Sequence, residues 1–266
     1  MRILYLGNNW LGLKALEWLK AQGAQIVGLV AHPEKTARYR DEILRASGLP
    51  ESAIIDGSRL KRASVLESVA ALKPDLGLSV LFGYIVRKPF LDLLPSGCIN
   101  LHPAYLPYNR GKYPNVWSIV ERTPAGVSLH YMNEGVDTGD IIARLKVPID
   151  AADTGESLYH KLEQAGLELM RATWPSLQSG KVRRIPQRRG QGSFHLASDV
   201  DRIDELKLDQ KRKVRDILDL LRARTFPPYS GAFFRDRGRK IQVRIQLIEE
   251  ETSKGAASKD ERTSQH

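Results

Sequence analysis

The sequence predicts an α/β protein. It reads as a Rossmann-like, mostly parallel twisted sheet with helices on both faces, extended by a small C-terminal helix and β-hairpin appendage. Three observations predict it. Short buried-type strands alternate with helical stretches over the first two thirds of the chain, which calls for right-handed crossovers and parallel strand pairs. Those strands are apolar runs of the kind found where both faces of a sheet are covered. Near residue 180 the composition turns basic and rich in Gly, Gln and Arg, and the remaining residues have room for one helix and one hairpin.

In chain order, Arg2–Leu6 is a strand, turned at Gly7-Asn8-Asn9 into a helix from Leu11 to Gln22 that Gly23 stops. Gln25–Val30 is the next strand; helices are expected over Thr36–Ser47 and Leu60–Leu72, with a short strand at Ala53–Ile55 between them. Leu76–Val80 is a further strand. The run Gly97–Pro103 is another, stopped by Pro103, which has no N–H for a sheet ladder. A helix from Pro114 to Glu121 leads to an alternating strand, Gly126–Met132, whose partner is Asp140–Ile149. Asp153 and Glu156 have the spacing of a capping box, which starts a helix reaching about Gln178. Gly180–Gly192 reads as a linker, Lys211–Arg224 as a helix, and Gly231–Phe234 with Lys240–Leu247 as a hairpin. The expected organisation is a catalytic domain over 1–180, a small subdomain over 181–249 and a polar, disordered tail over 250–266.

The net charge of +10 is unevenly placed, since residues 1–180 carry 20 basic and 18 acidic side chains and 181–266 carry 21 and 13. A basic surface attracts polyanions, whether RNA or phosphorylated small molecules. The first strand comes directly after Met1, so no secretory signal is expected. No apolar run approaches the roughly 20 residues of a membrane span. Cys98 is the only cysteine, which excludes an internal disulfide and any multi-cysteine zinc site and points to a reducing, cytoplasmic setting.

The chemistry gathers at two places. Asn100 and His102 lie two apart on a strand and so share a face at its end. Asp137 lies 35 positions after His102, in a turn bracketed by Gly135 and Gly139. An amide to hold an oxyanion, an imidazole to take a proton and a carboxylate to orient it are the parts of acyl transfer to an amine. Other readings of these residues stay open: a metal held by His102, His130 and Asp137, or a thiol nucleophile at Cys98. Neither has a supporting pattern, because no helical His spacing is present and a buried cysteine is usually apolar filler.

Three runs carry a resemblance. Asn100-Leu101-His102-Pro103, Leu106-Pro107-Tyr108-Asn109-Arg110-Gly111 and Gly135-Val136-Asp137-Thr138-Gly139-Asp140 together resemble the folate-dependent formyltransferases, across about residues 1–180. The resemblance implies N10-formyltetrahydrofolate as donor, no metal, and Asn100, His102 and Asp137 as the catalytic set. It also implies a pterin pocket between Phe82, Gly83, Tyr84, Ile85 and Val86 on one side and Glu134, Gly135 and Val136 on the other. Asn8, Asn9 and Trp10 match the first strand–helix turn, where a helix N-terminus can hold a phosphate. The turn has no GxGxxG pattern, so a dinucleotide cofactor is not expected. The short appendage and the run Tyr108–Trp117 are most similar to the sugar nucleotide N-formyltransferases. On that likeness the acceptor is a nucleotide-linked amino sugar, with Tyr105, Asn109, Arg110, Lys112 and Tyr113 beside it and a homodimer possible. An aminoacyl-tRNA acceptor and a non-catalytic folate-binding relative are the alternatives.

Overall fold

In strand β1 (Arg2–Gly7), Ile3 and Tyr5 enter one apolar core while Leu4 and Leu6 enter a second on the opposite face of the sheet. The alternation reflects the two-residue period of a strand. The computed structural model in which this is seen describes residues 1–188 and 190–250. The tail expected to be disordered lies, apart from its first residue, outside the described residues.

Helix α1 (Asn9–Ala21) returns the chain to β2 (Gln25–Ala31), α2 (Arg40–Ser47) to β3 (Ile54–Asp56), and α3 (Ala63–Ala71) to β4 (Leu76–Val80). The short α4 (Lys88–Leu91) precedes β5 (Cys98–His102). After it come a two-residue strand β6 (Arg110–Gly111), α5 (Pro114–Val120), β7 (Ala125–Tyr131), β8 (Ile141–Val147) and α6 (Gly155–Gln178). The last stretch holds β9 (Phe194–His195), α7 (Asp199–Asp204), α8 (Val214–Ala223) and the hairpin β10 (Phe233–Asp236) and β11 (Arg239–Gln242).

Seven strands form one sheet in the order β3-β2-β1-β4-β5-β7-β8. The pairings from β3 to β5 are parallel, and β7 and β8 join antiparallel. The chain builds outward from β1 through β2 to β3 and then resumes on the other side of β1 at β4. The loops leaving β1 and β4 therefore diverge and open a crevice at the strands' C-terminal ends, the place where open α/β sheets bind ligands. Beside that crevice, β5 delivers Asn100 and His102.

Several elements differ from expectation for local reasons. The helix expected over Thr36–Ser47 is interrupted: Glu34–Thr36 is a single 3₁₀ turn and Tyr39 has φ 56°, so α2 starts at Arg40. Leu60–Leu72 similarly contracts to α3. The capping box sits one residue later than expected. Thr154 accepts from the Ser157 N–H at 3.2 Å, and Ser157 Oγ accepts from the Thr154 N–H at 3.0 Å. Asp153 accepts instead from the Asp150 N–H, Ser157 and Lys161. The alternation of β7 predicts one face in the core and one in solvent, yet all but its last residue are buried. Its polar residues are covered by the loop after β5: Ser128 Oγ donates to the Ala104 carbonyl and accepts from the Leu106 N–H.

The stretch that reads as a linker is pinned to the sheet. Ile185 exchanges two backbone hydrogen bonds of 2.9 Å with Ile141 on β8, and β9 pairs in parallel with β6. Beyond it, Val200 and Ala223 belong to the same core as β1, α1 and α6. Charged groups dock α8: Asp219 accepts from Arg122 and Arg222, and Arg222 also donates to the carbonyls of Asp150 and Asp153. Arg224 makes a two-pronged pair with Asp204.

Candidate active site

Asn100, His102 and Asp137 converge. The C-terminal end of β5 presents the first two. The third arrives from the turn between β7 and β8, in which Asn133 Oδ1 accepts from the Gly135 N–H and Thr138 Oγ1. Gly139 must be glycine in that turn, because a Cβ there would run into the Tyr131 carbonyl oxygen. Asp137 has φ 53°, in the left-handed region. Its Oδ2 lies 3.5 Å from His102 Nε2 and accepts from the Gly111 N–H at 2.9 Å, while Oδ1 lies 3.4 Å from His130 Nε2.

In the sequence His130 stands only as a candidate metal ligand, and the structure gives it another part. Its Nδ1 donates to its neighbour's carbonyl, Tyr131 O, at 2.9 Å. In the neutral ring Nε2 is then an acceptor, and it faces Asn100 Nδ2 at 3.2 Å, directly across the β5–β7 register. Ser79 Oγ donates to Asn100 Oδ1 at 2.8 Å. The amide of Asn100 is thereby fixed at both ends, with one N–H left over for a negative oxygen. Among the described residues, no cluster of three or more His, Cys, Asp or Glu is placed to hold a metal ion. Cys98 is buried beside Met132, and burial pushes its thiol up to about 12, so it stays protonated.

Burial holds His102 below the ordinary imidazole value, outweighing the upward pull of Asp137; His130 and Lys112 push in the same direction as burial. The ring is therefore neutral near neutral pH. Its Nε2 donates to the Asn109 carbonyl at 3.3 Å, which leaves Nδ1 with the lone pair. Burial alone would raise Asp137, but His102, His130 and the Gly111 N–H outweigh it and hold the carboxyl well below its usual range. A neutral base, an ionised carboxylate and an oriented amide sit within one corner. That corner can take a proton from an attacking amine while donating to the oxygen that becomes negative.

The other residues singled out in the sequence divide. Ile85 and Val136 are exposed, at 57% and 40%, and present apolar surface at the loops after β4 and β7. Glu134 and Gly135 are exposed beside them. Val86, expected in the pterin pocket, is instead a core residue in the cluster with Phe90, against which Met132 packs. It ties the two loops together. Phe82 and Tyr84 gather around His32 at 5.1 and 4.8 Å between ring centroids, and the Gly83 N–H donates to His32 Nε2.

On the acceptor side, Asn8 is buried and accepts from the Arg38 N–H. Asn9 reaches Tyr159 with Nδ2, while its buried Oδ1 has no partner among the described residues. Trp10 packs against the first core. Asn109, expected on the rim, has no exposed surface at all: Nδ2 donates to Ser118 and Thr123, and Oδ1 accepts from Ser193. It is a strut inside the loop, not a group that meets an acceptor. Arg110 is half-buried on the Ser193 carbonyl and Tyr105 lies under Arg144. Lys112 and Tyr113 are exposed, and the Lys112 charge acts on both His32 and His102.

Known proteins share this architecture. Residues 2–173 match the family described as formyl transferase. The chain belongs to that family. Residues 199–250 match the N-formyltransferase dimerization C-terminal domain. Methionyl-tRNA formyltransferase of Bacillus subtilis is 29% identical over 249 residues, covering 91% of this chain and 77% of that one. A solved 4-N formyltransferase from Francisella tularensis is 27% identical with TM-score 0.79, over 93% of this chain and 98% of that chain. The formyltransferase PseJ from Anoxybacillus kamchatkensis, solved with UDP-4,6-dideoxy-4-formamido-L-AltNAc and tetrahydrofolate, is 28% identical with TM-score 0.57, over 76% of this chain and 89% of that chain. The protein is thus a formyl-transferring enzyme with a Rossmann-like fold.

Proposed function

We propose that this formyl transferase moves a formyl group from N10-formyltetrahydrofolate to the amine of a nucleotide-linked amino sugar. The observation that carries the choice of acceptor is the likeness to PseJ, solved with a UDP-linked 4-formamido sugar, along 89% of that chain. The donor fits the loops after β4 and β7. Exposed Ile85 and Val136 offer apolar surface to a flat ring, and Val86 and Met132 hold the two loops to one core. When bound, the folate supplies the formyl carbon.

His102 takes the proton that the amine sheds as its nitrogen bonds to the formyl carbon, and returns a proton as the old C–N bond breaks. Asn100 donates its free N–H to the formyl oxygen, a contribution of the kind worth about 3 kcal/mol. Asp137 orients His102 and stabilises its protonated form. No residue of the chain forms a covalent bond to the formyl group. Lys112 and Arg110 serve the acceptor's phosphates, and Tyr105 and Tyr113 its rings. Residues 199–250 pair two copies into a homodimer, consistent with Val214 and Leu218 of α8 being 72% and 44% exposed. The free, buried Cys98 accords with a cytoplasmic setting. Among the described residues no helix is long and apolar enough to cross a membrane.

The experiment is tetrahydrofolate release from N10-formyltetrahydrofolate with 3-amino and 4-amino sugars on dTDP, UDP and GDP, alongside methionyl-tRNA. Turnover with a sugar nucleotide is the expected result. Turnover with charged tRNA alone would transfer the reading to the activity named for the Bacillus relative, with the basic excess after residue 180 as its electrostatic support.

A further inference from the structure

The segment after α6 touches the catalytic corner at two points. Gln187 Nε2 donates to the carbonyls of Asp137 at 2.9 Å and Gly139 at 2.7 Å, bracketing the turn that carries the carboxylate. Ser193 Oγ accepts from the Asn109 N–H and donates to Asn109 Oδ1, both at 2.9 Å, and it is the Asn109 carbonyl that His102 faces. One face of each active-site loop is thus held from outside the catalytic sheet.

The bonding of Gln187 is one-sided. Its amide nitrogen uses both protons on carbonyls of one turn, while Oε1 is buried with no partner among the described residues. A buried acceptor left unpaired is costly, so an amide serving only as packing is poorly placed here. What the arrangement gains is control of the turn. Asp137 sits at φ 53°, a backbone region uncommon for a non-glycine residue, though Asp enters it more readily than most. Tying together the carbonyls on either side of Thr138 favours that conformation.

We propose that Gln187 is a positioning residue of the formyl transfer reaction: by clamping the carbonyls of Asp137 and Gly139 it holds the Asp137 carboxylate against His102 and His130. The proposal rests on the reading of Asp137 as the orienting carboxylate. Gln187 touches neither donor nor acceptor in this role. Its effect passes through Asp137, whose separations from the two imidazoles are already near the limit at which a small displacement severs them.

The test uses the full-length protein and two readouts. Gln187→Met keeps the length of the side chain and removes both donated hydrogen bonds; Gln187→Glu keeps the shape and sets a carboxylate against two carbonyl oxygens. Turnover is read by tetrahydrofolate release with the best acceptor of the panel above, and the titration midpoint of His102 by NMR of the ligand-free protein. The groups facing His102 are Asp137, which raises its midpoint, and His130 and Lys112, which lower it. The expected results for Gln187→Met are a kcat lower by roughly 10–100-fold, the scale of a misplaced catalytic group, and a downward move of the His102 midpoint. Asp137→Asn moves that midpoint in the same direction and further. Gln187→Glu is slower than Gln187→Met near neutral pH and recovers relative to it as pH falls and the new carboxyl gains a proton to donate.

An unchanged kcat and unchanged midpoint in folded Gln187→Met, with Asp137→Asn displaced, would overturn the proposal and leave the mechanism standing. An unmoved midpoint in Asp137→Asn would remove the mechanism and the proposal with it. Should Gln187→Met fail to fold, the His102 midpoint in Gln187→Glu decides, since a merely structural glutamine leaves that midpoint in place.

Discussion

The two sides of the crevice are built to opposite standards. At the β5 end each side chain of the corner is held by a neighbour: Asn100 lies between Ser79 and His130, His102 against Asn109, and Asp137 on Gly111 and His102. At the β1 end Asn9 Oδ1 is buried with no partner among the described residues, and Lys112 and Tyr113 stand in solvent. On the proposed function, the difference separates chemistry from recognition. Groups that act on a transition state gain by being fixed beforehand, because no reorganisation is then needed at the moment of reaction. Groups that meet an acceptor gain by keeping unused hydrogen bonds for it.

That contrast predicts where substitutions act. The largest effects belong to the paired side: His102→Ala and Asp137→Asn each lower kcat by about 10²–10⁴, with circular dichroism and Tm close to those of the parent. A His102→Ala enzyme that turns over at the parent rate would end the general-base assignment. Asn100→Ala comes next, at roughly 10²–10³ in kcat with the Michaelis constant for folate little changed.

Asn109→Ala sharpens the comparison, because the residue belongs to the paired side although its position in the sequence suggests the rim. It strips partners from Ser118, Thr123 and Ser193 and is expected to cost about 2–3 kcal/mol of stability by denaturant titration. The Michaelis constant for the acceptor should hold steady; a large rise in it with unchanged stability would return Asn109 to the rim.

The smallest effect is electrostatic. With His102 as the proposed base, working neutral, the acid limb of the kcat profile is expected to follow it, and activity to fall as pH drops below its depressed midpoint. Removing a cation that disfavours the protonated ring raises that midpoint, and Lys112→Met should therefore shift the limb slightly toward higher pH. It should also weaken acceptor binding. A shift toward lower pH would place Lys112 away from the base.

Much of this is legible in the residues. β4 spans Leu76–Val80 as its apolar run predicts, α6 ends at Gln178 where its pattern does, and the two-residue period of β5 puts Asn100 and His102 on one face. Local signals suffice where the determinant is local. They fail at Asp153 and Thr154, two adjacent residues equally able to cap a helix, where the choice falls to a lysine in the next turns. They fail again at residues 180–195, because a two-residue strand and one glutamine amide make contacts set by loops some fifty to eighty residues earlier and leave no periodicity to read. His130 is visible as a histidine but not as the partner of Asn100. That role depends on the β5–β7 register and on which ring nitrogen Tyr131 engages.

The pairing of β6 with β9 also bears on how this fold can be cut and recombined. Gly111, at φ 91°, lies so close to the His195 carbonyl that no larger residue would fit, and its own N–H is the one that Asp137 receives. The stretch beyond α6 is thus stitched into the floor of the reaction chamber. A catalytic cassette ending at residue 180 would carry all three signature residues and lack the seam that holds two of them. Grafts between members of this family are better joined after His195, where the seam travels with the chemistry.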